Sequence, residues 1–119
     1  MRADTVRFLL LIDADPDLLA QALINLLRNA AQASAPPQGT GAVCLAMRSG
    51  GMIEVEDDGP GVPDAVRGDV FLPFFTTRLA GSGIGLNLVR QIAVAHGWRV
   101  EVTRGTLGGA LFRLVAEPR

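Results

Sequence analysis

The 119-residue chain is 49% apolar and 19% charged, the balance of a single globular domain, long enough to bury a core without disulfide or metal staples. Eleven basic residues against twelve acidic ones leave a net charge of -1 with no basic run, so bulk charge gives no route to nucleic acid or to an acidic membrane surface. The longest strongly apolar run, Phe8 to Ile12, is far short of the roughly 20 residues that span a bilayer, and no apolar segment with a cleavage site follows Arg2, Asp4 and Arg7, so no secretory signal is read and the cytoplasm is the expected compartment.

Val6 to Ile12 is rich in branched apolar residues and predicts a strand. Asp15 is placed to cap a helix that begins at Pro16. Over Asp17 to Ala33, Leu19, Leu23, Leu26, Leu27 and Ala30 recur at helical spacing, while Gln21, Asn25, Arg28, Asn29 and Gln32 gather on another face. Pro36, Pro37, Gly39 and Gly41 end that helix in a loop. A strand over Ala42 to Arg48 follows, carrying the sole cysteine, Cys44, which its apolar neighbours predict to be a buried thiol. Ser49-Gly50-Gly51 predicts a tight hairpin into a second strand, Met52 to Glu56, which runs into the turn Asp57-Asp58-Gly59-Pro60-Gly61.

A short helical turn is expected over Asp64 to Gly68. Val70 to Ser82 shows no sustained period and reads as a mobile connection to a second long helix, Gly83 to His96, with Ile84, Leu88, Ile92 and Ala95 as its buried stripe and Gly97 as its left-handed stop. Strands over Trp98 to Thr103 and Ala110 to Val115 complete the chain. The expected fold is α+β: a two-layer sandwich in which about three helices cover one face of a mixed, mostly antiparallel sheet of about five strands.

Four groups of residues can carry chemistry. Asn25 and Asn29 lie one helical turn apart on one side, where two amides could share a ligand such as magnesium or could form an ordinary solvated face. Asp57 ends a strand just before glycines that let a flat ligand approach the backbone, and its carboxylate could accept from an exocyclic amine; an acidic turn is the plain alternative. Gly81-Ser82-Gly83-Ile84-Gly85 opens a helix and suits an anion, yet it has neither the leading strand of a dinucleotide fingerprint nor the Gly-Lys-Ser/Thr of a P-loop. Phe71, Phe74 and Phe75 either pack in the core or belong to a lid in which Thr77 and Arg78 reach phosphate.

In order and spacing these pieces resemble the ATP-binding domain of histidine kinases, the fold shared with the Hsp90, gyrase and mismatch-repair ATPases (the Bergerat fold). Asn25-Leu26-Leu27-Arg28-Asn29-Ala30 resembles the N box, and Glu56 to Pro63 the first glycine box. Val70 to Arg78 resembles the F box, and Gly81-Ser82-Gly83-Ile84-Gly85-Leu86 the second glycine box. The wording Pro73-Phe74-Phe75-Thr76-Thr77-Arg78 is most similar to the nitrogen-regulation branch, and the similarity runs from about Val6 to Val115.

The resemblance implies ATP and magnesium as ligands. Asn29 would be the main metal ligand with Asn25 assisting, and Asp57 would read the adenine amino group. Gly59, Gly61, Val62, Thr77, Arg78, Gly81, Ser82, Gly83, Gly85 and Leu86 would surround the nucleotide. Hydrolytic relatives carry a glutamate as base where this chain has Asn25, so phosphoryl transfer is implied over hydrolysis. Three positions depart from the pattern: Gln32 replaces a basic residue near the phosphates, Ala110 a threonine that supports the adenine-binding water, and Trp98 a glycine after His96-Gly97.

His96 is the only histidine and falls in the structural His-Gly pair. The family's phosphoacceptor histidine sits on a separate dimeric helical hairpin, and nothing before Val6 resembles one. The sequence thus reads as a single catalytic domain, excised or stand-alone, mainly monomeric by itself. Its implied partners are the histidine-bearing hairpin and a downstream response regulator. Two rival functions are an anti-sigma-factor type of serine kinase and a nucleotide-sensing pseudokinase that docks through Phe71, Phe74 and Phe75.

Overall fold

A computed structural model of the chain describes residues 12–73 and 85–116. The strand expected over Val6 to Ile12, apart from Ile12, lies outside the described residues, as do Phe74, Phe75, Thr76, Thr77, Arg78, Gly81, Ser82, Gly83 and Ile84.

Helix α1 spans Pro16–Ser34. Its start is set by chemistry legible in the sequence: Asp15 Oδ1 accepts from the amides of Asp17 at 2.9 Å and Leu18 at 3.1 Å, and Pro16 gives up no hydrogen bond at a position where its amide would have no partner. Such a cap is worth about 1 kcal/mol. Ala22, Leu26 and Ala30 are fully buried and Ala33 nearly so, while Leu19, Leu23 and Leu27 are half-buried at the flanks. Alanines occupy the line of closest approach because their small side chains let the helix axis come down onto the sheet.

Strands β1 (Val43–Arg48) and β2 (Met52–Asp57) form a hairpin closed by residues 49–51, with Arg48 opposite Met52. Gly50 and Gly51 take φ of 87° and 79° there, a region that side chains other than glycine's resist. Strands β3 (Arg99–Arg104) and β4 (Ala110–Val115) form a second hairpin. β4 pairs with β2, so the described sheet runs β1-β2-β4-β3 with every pairing antiparallel. Helix α2 spans Gly85–Ala95, and both helices lie on the face that carries Val55, Ile53, Phe112 and Leu114. The α+β two-layer sandwich is as expected, with four strands and two α-helices among the described residues.

The buried line of α2 is Val89, Ile92 and Ala93, whereas Ala95 is exposed and Leu88 half-buried. Ile92 is buried as expected and Leu88 packs against the core, Ile84 lies outside the described residues, and the stripe turns toward Val89 and Ala93 in place of Ala95. α2 packs against α1 as well as the sheet, and a small alanine gives the pattern little power to set the phase. Between β2 and α2 lie two 3₁₀ turns, Asp64–Val66 and Asp69–Phe71. The second was not expected; it buries Val70 and Phe71, with the Phe71 ring edge-on to Phe112 at 6.0 Å.

Cys44 is exposed, not buried. Alternation along β1 puts it on the sheet face away from the helices, opposite Glu56. On that outer face Glu54, with a side chain only 4% accessible, pairs with Arg48 at 2.6 Å and Arg113 at 2.7 Å, and Arg113 reaches Glu101 at 3.6 Å. Burial alone would push the Glu54 carboxyl up, but the two guanidinium hydrogen bonds outweigh it and hold it below the usual range.

His96 ties the two helices together. The Asp15 amide donates to its Nε2 at 3.0 Å and its Nδ1 lies 2.8 Å from the Ile92 carbonyl, so Nδ1 carries the proton and Nε2 accepts. Trp98, 8% exposed, stacks on the ring at 4.4 Å, which is the use this chain makes of a tryptophan after Gly97. Gly97 has φ of 73° and ends α2 as expected.

Candidate functional site

The site is built where the end of β2 passes under α1. Asp57 is the last residue of β2 and is completely buried. Its Oδ1 accepts from the Gly59 amide at 2.8 Å and from the Ala110 amide, the first of β4, at 3.5 Å. The carboxylate is thereby held by two backbone amides, one in the turn after β2 and one at the start of β4.

Glycines surround it for reasons of space. A Cβ on Gly59 would sit 2.3 Å from the Ala33 carbonyl oxygen of α1, and one on Gly109 would sit 2.4 Å from the Asp57 carbonyl oxygen and 2.5 Å from its Oδ1. Gly61 backs onto Gly109, its own Cβ position 3.6 Å from that residue's carbonyl carbon. Val62 and Leu86 pack against the same core as Leu26 and Ala30. Asp57, Gly59, Gly61 and Val62 thus meet at one end of the sheet. Gly109 belongs with them and was not singled out from the sequence; its signal was a glycine pair, Gly108-Gly109, directly before a strand.

On the helix side, Asn25 and Asn29 are half-buried on α1. Asn25 Nδ2 donates to the Gln21 carbonyl at 2.8 Å, which leaves its Oδ1 facing the start of α2, 3.0 Å from where a Cβ on Gly85 would stand. The structure therefore brings the N box and the second glycine box into contact at Asn25 and Gly85. Thr77, Arg78, Gly81, Ser82 and Gly83 are outside the described residues.

The neighbouring carboxylates brace the rim. Asp58 accepts from the Thr40 hydroxyl, from the Thr40 amide at 2.9 Å and from the Ala42 amide at 3.3 Å, fastening the loop after α1 to the turn after β2. Glu56 accepts from the Leu107 amide and the Thr106 hydroxyl, each at 3.3 Å, fastening the turn between β3 and β4. The Thr40 hydroxyl, and then its amide, hold the Asp58 carboxyl below its ordinary range against a smaller opposing effect of burial.

A depressed folded pKa means that Asp58 contributes stability fully above the unfolded value of about 3.9, and that this contribution disappears as pH falls through the lower folded value. Acid titration should therefore show protection of the Thr40 amide from hydrogen exchange falling below about pH 4 in the wild type. In Asp58→Asn that protection should be weak already at neutral pH. Equal protection in both proteins would remove the clamp.

The pattern of the histidine kinase-, DNA gyrase B- and HSP90-like ATPases matches residues 14–119. The chain belongs to that family. It is 39% identical over 111 residues to the sensor protein kinase PilS of Pseudomonas aeruginosa, covering 88% of this chain and 21% of PilS. It is 35% identical over 102 residues to the sensory histidine kinase/phosphatase NtrB of Klebsiella oxytoca, covering 75% of this chain and 29% of NtrB. Among solved structures, full-length ShkA in complex with AMPPNP superposes with a TM-score of 0.66 at 32% identity, over 90% of this chain and 23% of ShkA. The chain thus spans about a fifth of PilS and under a third of NtrB. What it carries is an ATPase domain of the histidine-kinase kind, and the likeness to NtrB bears out the nitrogen-regulation resemblance. No helix among the described residues is long and apolar enough to cross a membrane.

Proposed function

We propose that this ATPase domain binds ATP with magnesium and delivers the γ-phosphate to a histidine on a separate helical dimerisation domain, from which a response regulator takes it. The observation that carries the reading is Asp57: a fully buried carboxylate, fixed by two backbone amides and packed against Gly59 and Gly109, where no side chain would fit. In that setting the carboxylate accepts from the adenine amino group, and Gly59, Gly61 and Val62 form the wall along which the base lies. We place the whole chain as one such domain, working on the cytoplasmic side where ATP is plentiful.

The residues present fit magnesium in one manner. Among the described residues no three His, Cys, Asp or Glu side chains cluster into a metal cage, so the ion would rest on Asn29, with Asn25 assisting, and on the phosphates themselves, the sparse protein coordination magnesium favours. Bound there it would neutralise charge on the transferring phosphoryl group. Gly85 and Leu86, the first residues of α2, sit where helix amides favour phosphate oxygens, and in the proposal Thr77, Arg78, Gly81, Ser82 and Gly83 close around the same end. Asn25 is an amide already donating to Gln21 and cannot take a proton from water, which supports transfer over hydrolysis.

The test uses γ-labelled ATP and a helical-hairpin domain from a related kinase. Acid-labile, alkali-stable label on the hairpin histidine is the expected result; acid-stable label on serine would point to a serine kinase instead, and folded protein that binds no nucleotide would favour a docking module. In the same series Asn29→Ala is expected to weaken binding of an ATP analogue about tenfold or more with magnesium present, and to change little in chelator. Equal loss in both conditions would take the metal away from Asn29.

A further inference from the structure

Asn87 was absorbed by none of the motifs. It is half-buried in the first turn of α2. Its Nδ2 donates to the Phe71 carbonyl at 3.1 Å, and its Oδ1 accepts from Gln91 Nε2 at 3.2 Å. The partner settles the orientation, because the reversed amide would set two oxygens against each other.

Phe71 is a firm anchor. It is 6% exposed, its ring meets Phe112 edge-on, and Val70 beside it is 5% exposed. On its other side the first turn of α2 abuts α1 at Gly85 and Asn25. The start of α2 is thus held at two points, one on α1 and one on the 3₁₀ turn Asp69–Phe71. Asn87 makes the second, joining the place where the chain leaves the buried 3₁₀ turn to the place where it enters α2.

We propose that Asn87 is a positioning residue of the nucleotide site: without touching the nucleotide, it fixes the start of α2, and with it the amides of Gly85 and Leu86, against the core-anchored carbonyl of Phe71. The inference rests on the ATP reading above and adds to it a division of labour. Adenine recognition at Asp57 depends on Gly59 and Ala110 and owes nothing to Asn87. The phosphate end, by contrast, depends on where α2 begins.

The experiment compares wild type, Asn87→Leu and Asn87→Asp by calorimetric titration with AMP and with a non-hydrolysable ATP analogue, alongside thermal melting. Leucine removes the donor without adding charge; aspartate removes it while remaining favourable in the first turn of a helix. Both variants are expected to bind the ATP analogue about five- to tenfold more weakly while AMP affinity stays within about twofold, and thermal melting should show both still folded at the temperature of the titration. Equal weakening toward both ligands, weakening by aspartate alone, or no weakening would each overturn the proposal. Failure of the ATP reading itself would look different: wild type would not bind the ATP analogue.

Discussion

Asp57→Asn is expected to lower affinity for an ATP analogue by about ten- to a hundredfold or more while the protein stays folded. The carboxylate has two oxygens, and Oδ1 already takes the Gly59 and Ala110 amides. Asparagine has one oxygen: if that serves the backbone, the amide nitrogen must face the adenine amino group, donor against donor. The loss combines a charge-assisted hydrogen bond worth about 1.5–3 kcal/mol with the penalty of an unpaired buried donor. Because the oxygen can still satisfy the backbone, folding should survive, and calorimetric titration beside circular dichroism separates the two effects. Retained affinity in a folded Asp57→Asn protein would remove adenine recognition from this residue.

Gly109→Ala should damage both the stability of the domain and the site at Asp57. The added carbon would meet the Asp57 carbonyl oxygen at 2.4 Å, Asp57 Oδ1 at 2.5 Å and the Gly59 nitrogen at 2.7 Å, and two of these three atoms are backbone that cannot swing aside. Overpacking of this kind costs about 1–3 kcal/mol, which for a domain of this size lowers the melting temperature by about 5–15 °C. The relief, whichever way the chain moves, displaces the carboxylate, so nucleotide binding should fall with stability. Gly108→Ala is the internal control: Gly108 has φ of 94° and open space around it, so alanine there should cost only backbone strain of about 1–2 kcal/mol and leave binding near the wild-type level. Equal binding defects in the two variants would show that the crowding at Gly109 is not what shapes the site.

The contrast between those glycines also explains what could be read from the sequence. Features that act through local backbone chemistry were legible: Asp15 and Pro16 begin α1, residues 49–51 turn the hairpin, and Gly97 stops α2. Asp57, Gly59 and Gly61 were legible through the resemblance, and the structure brings them together. Gly109 was not, because its reason is space beside a residue distant in sequence, and no local pattern reports that. The same holds for Asn87, which reads as an ordinary polar helix residue until Phe71 is placed beside it. Cys44 went wrong for a related reason: the run Ala42 to Met47 is apolar on both sides of the strand, but β1 ends the described sheet, and Val43, Leu45 and Met47 on its other side are exposed as well. In α2 the helix and its buried Ile92 were expected, but the choice between Ala93 and Ala95 was not legible, because alanine carries too little hydrophobic contrast to tell inside from outside.

Among the described residues the helices lie on one side of the sheet only and leave its other surface bare, and bare sheets tend to adhere to one another. Here the bare surface is crossed by a row running Arg48, Glu54, Arg113, Glu101, one residue from each strand. Each acid is already matched to a base, so a visitor approaching from that side would have to strip water from Arg48, Arg113 and Glu101 and gain no unmatched charge in return. The row makes that surface a poor place to stick, and it leaves the helical side and the nucleotide end as the directions from which this domain can be engaged.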